Sequence, residues 1–184
     1  MRIISGRFRG KILKTPSDDA IRPTADRTRE SLFNILASQL SPHFEGLRVL
    51  DLFAGTGALG LEALSRGAAR AVFVDTGTEA RGLIRDNIES MGLAGVAKLL
   101  RRDATDLGPA GTMGPCDLIF LDPPYGKGLG ELALASARQG GWIAPGAIVV
   151  LEDSAELTLT PPDGFVLRDR RDYGAAALNF LALS

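Results

Sequence analysis

The 184-residue chain contains one cysteine and one histidine, and each scarcity closes off a line of chemistry. With Cys116 alone there is no intrachain disulfide and no cysteine cluster to hold zinc. His43, the only histidine, falls in the connection Ser41-Pro42-His43 rather than at a strand end, so it is expected to face solvent and not to act as a base. No run of about 18 uncharged apolar residues occurs, so no membrane span is expected. Met1-Arg2-Ile3-Ile4 opens with a positive charge, but no signal-peptide core follows it, which points to the cytoplasm. Net charge is only −1 and the pI is near 5.9, a balance that does not by itself suggest a nucleic-acid partner. There is no internal repeat, no low-complexity tract and no linker long enough to set off a second globular unit.

What is present is an alternation of apolar segments. A hydrophobic content of 45% over 184 residues is enough for one domain, 1–184, with a sizeable core. Strands are expected at 48–53, 71–75, 96–101, 117–122 and 147–152, with helices at 57–66, 78–91 and 129–140. Such alternation implies a doubly wound, mostly parallel α/β sheet. Phe165 to Arg171 and Ala175 to Leu183 flank Tyr173-Gly174 with no helix between, so they read as a hairpin that adds one antiparallel strand. Ahead of this catalytic core, 43–184, lies an extension, 1–42. In it Arg2 to Ile4 and Lys11 to Lys14 form a small N-terminal β-hairpin around Gly6 to Gly10. A helix follows, capped by Thr24 and ending near Leu40 to Pro42, its apolar face set by Leu32, Ile35 and Leu36.

The first strand, Arg48 to Phe53, runs into Ala54-Gly55-Thr56-Gly57 and then a helix. Glycines at 55 and 57 permit positive φ and close approach of the backbone to a ligand, and the helix start points free N–H groups at it. Taken alone, such a turn serves several cofactors as well as plain structure. The flanking acids narrow the choice. A dinucleotide needs a pyrophosphate site, whereas S-adenosylmethionine carries a sulfonium, an ammonium and a carboxylate, and Asp51 beside the turn favours a cation. Asp75, about twenty residues beyond the glycines at the end of the second strand, suits both ribose hydroxyls. Asp103, after the third strand, and the Ala104 amide suit the adenine edge. The candidate cofactor residues are therefore Asp51, Phe53, Ala54, Gly55, Gly57, Asp75, Asp103, Ala104 and Asp122.

The fourth strand, Cys116 to Leu121, delivers Asp122-Pro123-Pro124-Tyr125. One carboxylate, a proline carbonyl and an aromatic ring at a strand edge are what methylation of an exocyclic base amine needs. The oxygens of Asp122 and Pro123 accept the amine hydrogens and Tyr125 stacks on the base. These four are the candidate catalytic residues. Methylation at pyrimidine C5 would need a thiolate, but Cys116 begins the strand at the end opposite the tetrapeptide, where a buried, inert thiol is expected. Trp142, after Gly140-Gly141, is expected to be packed.

Charge is unevenly spread. Through residue 30 there are eight basic residues against four acidic ones, a net +4, leaving −5 for the remainder. Arg2, Arg7, Arg9, Lys11, Lys14, Arg22, Arg27 and Arg29 are the candidate RNA-binding residues; the alternative is a solvated charged face. Arg22, Arg27 and Arg29 are open to three roles: RNA phosphates, the cofactor carboxylate, or pairing with Asp26 and Glu30.

Over nearly its whole length the chain resembles the RsmD family of S-adenosylmethionine-dependent methyltransferases. The resemblance rests on Met1-Arg2-Ile3-Ile4 with Gly6 and Gly10, Lys14-Thr15-Pro16 and Arg22-Pro23-Thr24. It extends to Asp26, Arg27, Arg29 and Glu30, to Leu32-Phe33-Asn34, to the acids, glycines and tetrapeptide named above, and to Tyr173-Gly174 with Leu178 and Phe180. It implies a Rossmann-like class I methyltransferase fold. It also implies methylation of guanine N2 in 16S ribosomal RNA, within the small ribosomal subunit or an assembly intermediate, with S-adenosylhomocysteine as product and no metal. The chain departs from the family at Asp75-Thr76-Gly77, where charged residues usually follow the acid. Two other readings of the same residues are an adenine-N6 methyltransferase acting on DNA or RNA and a non-catalytic RNA-binding assembly factor.

Overall fold

The computed structural model describes residues 1–17, 23–40 and 43–184. Arg22 and the expected helix end at Pro42 lie outside the described residues, as does the side chain of Thr24. Seven strands form one sheet: β1 (Arg48–Leu52), β2 (Arg70–Val74), β3 (Ala97–Leu100), β4 (Cys116–Leu121), β5 (Ile143–Ser154), β6 (Phe165–Tyr173) and β7 (Ala176–Leu183). Their order is β3-β2-β1-β4-β5-β7-β6. The first five pair in parallel, and β7 runs antiparallel to both of its neighbours, β5 and β6. The hairpin expected at the chain's end thus inserts its second strand between β5 and β6.

Four α-helices are described: α1 (Pro23–Gln39), α2 (Ala58–Ser65), α3 (Thr78–Ser90) and α4 (Leu129–Gln139). Side chains of β4 alternate between two cores, as strand geometry requires. Leu118 and Phe120 join Phe33, Leu61, Phe73 and Ile84 under α1, α2 and α3. Ile119 and Leu121 join Leu134, Trp142 and Leu151 on the α4 side. Both faces of the sheet are therefore covered, which is why its strands read as continuous apolar runs rather than alternating ones. Trp142 is fully buried and donates from Nε1 to the Gly108 carbonyl at 2.9 Å. Cys116 is buried, and burial pushes its thiol up to about 11. His43 is exposed. No helix among the described residues is long and apolar enough to cross a membrane.

The expected N-terminal hairpin is present: Arg2 bridges Ile12 in antiparallel fashion, and Ile3 donates to the Lys11 carbonyl, Gly10 to Ile3 and Leu13 to Met1, each at 2.9 Å. It also spends backbone groups on the helices beneath it. Ile4 and Ser5 donate their amides to the Glu62 carboxylate at 2.8 and 3.1 Å, and Arg7 donates to the Ser65 carbonyl at 2.8 Å. The Lys14 amide donates to Asn87 Oδ1 at 2.7 Å. Ile3 and Leu13 are buried in the core under α1 to α3. Gly6 has φ +86°, and a Cβ there would stand 2.0 Å from the Ser65 carbonyl oxygen, so only glycine allows the arm to lie this close to α2.

Candidate active site

The strand order reverses between β1 and β4, and in open parallel sheets ligands bind at the carboxyl ends of the strands beside such a switch. β1 is followed by Phe53, a non-glycine residue at φ 56°, a backbone conformation tolerated only where the surroundings over-determine it. Gly55 and Gly57 follow at φ 61° and 81°, as the turn was expected to need. α2 then starts at Ala58. Its third residue, Gly60, packs so closely that a Cβ would lie 2.4 Å from the Phe73 ring.

That approach lets the Gly60 N–H donate to Asp51 Oδ2 at 3.0 Å. Asp51 is 1% exposed, and its carboxyl is pushed up to about 8. Desolvation is the main cause, the Gly60 hydrogen bond opposes it, and the charge of Asp75 adds to it. Asp75 clamps the glycine loop, accepting from the Gly55 amide at 3.0 Å and from the Gly77 amide at 2.8 Å. The Asp75-Thr76-Gly77 departure from the family pattern is therefore a tight turn closed by the acid itself just before α3.

On the other side of the switch, Leu121 of β4 pairs with Leu151 of β5, so the next residues, Asp122 and Glu152, emerge side by side. Both line the same cleft. Asp122 is accessible from the open cleft yet hemmed in by protein on its other sides. That crowding, then Glu152 and Asp51, raises its pKa well above the carboxylate range. Tyr125 Oη donates to Glu152 Oε2 at 3.1 Å, and the ring is 43% exposed. Burial of the hydroxyl and the neighbouring Glu152 charge raise the phenol's pKa. The Gly126 amide donates to Asp153 Oδ1 at 3.3 Å, fastening the loop to β5.

These parts converge on a cleft of about 530 Å³. Of the expected residues, Asp51, Phe53, Ala54, Gly55, Asp122 and Tyr125 line it. Gly57 is buried beneath the loop, and Pro123 and Pro124 shape the turn without forming the wall. Asp103 and Ala104 are not brought to the cleft. Asp103 turns onto Thr105, accepting from its amide at 2.8 Å and its hydroxyl at 2.7 Å, which lowers its pKa; Ala104 is buried in the core on the α4 side. Only Oδ1 of Asp103 is engaged in this way, and the side chain is exposed.

Arg29, for which RNA phosphates, the cofactor carboxylate and pairing with Asp26 and Glu30 were all open, is 6% exposed and lines the cleft. Its guanidinium donates to the Arg2 carbonyl and lies 3.5 Å from Asp26, and its Nε has no hydrogen-bond partner among the described residues. Burial lowers its pKa. A guanidinium enclosed in this way is unsuited to meeting RNA phosphates at the surface. Arg2, Arg7, Arg9, Lys14 and Arg27 are exposed and Lys11 is half-buried; Lys14 pairs with Asp86 at 3.2 Å.

Sequence reasoning missed Glu152, though the signal was available: it closes the apolar run of the fifth parallel strand, as Asp75 and Asp122 close theirs. Glu62, Ser65 and Asn87 were also missed, because nothing local marks a helical polar residue as the dock for a distant arm. The cleft floor holds a buried carboxyl with one backbone donor, and its wall holds an arginine with an unsatisfied Nε. Together they suit a ligand bearing a cationic and an anionic group.

The strand order, the glycine turn after β1 and the tetrapeptide after β4 define a class I methyltransferase fold. Residues 1–182 match the family described as Conserved hypothetical protein 95, and the chain belongs to that family, the RsmD methyltransferases. The Escherichia coli K12 protein "Ribosomal RNA small subunit methyltransferase D" is 37% identical over 179 residues, 96% of this chain and 87% of that protein. A solved E. coli structure, "Putative methyltransferase yhhF", superposes with a TM-score of 0.83 at 31% identity, covering 100% of this chain and 98% of that one. The Thermus thermophilus "tRNA (guanine(6)-N2)-methyltransferase" is 33% identical over 161 residues, 78% of this chain and 46% of that longer protein.

Proposed function

We propose that this chain transfers a methyl group from S-adenosylmethionine to the exocyclic N2 of a guanine in 16S ribosomal RNA of the small subunit, leaving S-adenosylhomocysteine. The observation that carries this reading is the convergence of the glycine turn and the Asp122 to Tyr125 loop on one cleft. The names of the E. coli and Thermus relatives, one a small-subunit RNA enzyme and the other a guanine-N2 enzyme, support the substrate and the atom.

The cofactor, when bound, supplies an electrophilic methyl group. Asp51 offers its carboxylate to the cationic end and Arg29 its unsatisfied Nε to the carboxylate. Asp75 has two acceptor positions beyond those used by Gly55 and Gly77, and these suit the ribose hydroxyls. An exocyclic guanine amine is a poor nucleophile because its lone pair is delocalised, so positioning does most of the work. With Asp122 and the Pro123 carbonyl each accepting one N–H, the nitrogen pyramidalises and its lone pair points at the methyl group. Asp122, its pKa raised by its surroundings, is placed to take the proton that the amine releases after transfer. Tyr125 stacks on the extruded base, and the exposed cations of the N-terminal arm contact phosphates.

The test is transfer of a labelled methyl group to unmodified small ribosomal subunits, with naked 16S RNA and DNA in parallel, followed by nucleoside analysis. N2-methylguanosine from the subunit is the expected product. Methyladenine would replace the reading with an amine-directed adenine enzyme, and cofactor binding without transfer would replace it with a non-catalytic RNA-binding module.

A further inference from the structure

Glu152 is the one acidic side chain in the cleft with no part in the scheme beyond its contact with Asp122. It stands one residue past the Leu121–Leu151 register pair, lines the cleft, and is held in place by the Tyr125 hydroxyl at 3.1 Å. A carboxyl so placed faces whatever adjoins the amine that Asp122 grips. The position next to the amine is where purines differ. Guanine carries N1–H, a donor, beside its N2 amine, whereas adenine carries a bare N1, an acceptor, beside its N6 amine. A carboxylate accepts from the first and repels the second.

We propose that Glu152 selects the base, its carboxylate accepting the guanine N1–H while Asp122 holds the adjacent N2 amine, with Tyr125 fixing both the plane of the base and the orientation of Glu152. This rests on the guanine-N2 reading and deepens it. Asp122 and the Pro123 carbonyl treat any exocyclic amine alike, so the choice between guanine and adenine must come from a group that reads the neighbouring ring position. Among the acidic residues lining the cleft, Asp51 is assigned to the cofactor and Asp122 to the amine, which leaves Glu152.

The decisive probe is 2-aminopurine, which keeps the amine at C2 and lacks the hydrogen at N1. Small subunits are reconstituted with guanosine or 2-aminopurine ribonucleotide at the methylated position, and kcat/KM is measured for wild type and for Glu152→Gln. Wild type should prefer guanosine by about 100-fold, the ratio expected when a buried acceptor is left without its donor. In Glu152→Gln the amide can turn either its oxygen or its NH₂ to N1, so the preference should fall below about 10-fold, while affinity for S-adenosylmethionine stays within about twofold of wild type. An unchanged preference in Glu152→Gln overturns the proposal. Should that variant be too slow to measure, Tyr125→Phe, which keeps the ring and releases Glu152, gives the ratio: a several-fold fall supports the assignment and a wild-type ratio overturns it. Absence of N2-methylguanosine from wild type on the guanosine substrate overturns the function itself, an outcome distinct from either result on selectivity.

Discussion

Replacing Asp51 by Asn tests the electrostatics of the cleft floor, because the two states of the chain hold that proton so differently. In the folded protein burial pushes the Asp51 carboxyl up to about 8, from the ordinary carboxylate value of about 4. Between those limits the folded state keeps the proton and the unfolded state has lost it. Stability from this group is therefore fully present below about pH 4 and drains as pH rises, at about 1.4 kcal/mol per unit, until about pH 8. From pH 5 to 7 the loss is about 2.7 kcal/mol. For a chain of this size 1 kcal/mol moves Tm by about 2–4 °C, so Asp51 lowers Tm by about 5–10 °C over that interval. Asp51→Asn keeps an oxygen to accept from Gly60 and has no proton to lose, so its Tm relative to wild type should climb by that amount from pH 5 to pH 7. Thermal unfolding of both proteins without cofactor, at matched ionic strength, makes the comparison. A Tm difference that does not change with pH refutes the reasoning. In wild type, the association constant for S-adenosylmethionine should rise by up to tenfold per unit below about pH 8, since a cationic ligand needs the ionised carboxylate, and in Asp51→Asn it should be weaker and flat.

Asp122→Ala should abolish methyl transfer while S-adenosylmethionine still binds in calorimetry; loss of binding alone would place Asp122 in the cofactor site instead. Glu62 is fully buried and takes the Ile4 and Ser5 amides together with Arg66 Nε at 2.9 Å, so Glu62→Ala should cost about 3–5 kcal/mol in denaturant unfolding, because it strands Arg66 and two amides at once. Gly6→Ala places a methyl group 2.0 Å from a carbonyl oxygen at a positive φ, and should free the arm, seen as faster amide exchange at Ile4 and Ser5. Arg7→Ala with Arg9→Ala should weaken RNA binding and lower the salt slope by about 1.5, in filter binding across salt concentrations, with cofactor affinity unchanged.

What the sequence determined by itself was set by contiguous residues. An apolar strand running into two glycines and a helix, and another ending in an acid, two prolines and an aromatic, have their conformation dictated within a few residues. Their backbone geometry and their place at the carboxyl edge were therefore legible, as were the antiparallel final hairpin and the burial of Cys116 and Trp142. Tertiary structure decided what depended on distant partners. Glu152 meets Asp122 because β4 and β5 pair in one register, and a shift of one residue would turn the acid to the opposite face. Asp103 turns one oxygen onto Thr105, two residues on, a contact that the strand pattern does not announce. Arg29 carries a charge that composition counts as surface, yet the fold encloses it against Arg2 and Asp26. The N-terminal hairpin was legible, but its seat was not: Glu62, Ser65 and Asn87, more than fifty residues away, take its outward backbone groups. A side chain's charge and hydrogen-bonding capacity are written in the chain; whether water or a remote neighbour satisfies them is settled only when the chain packs.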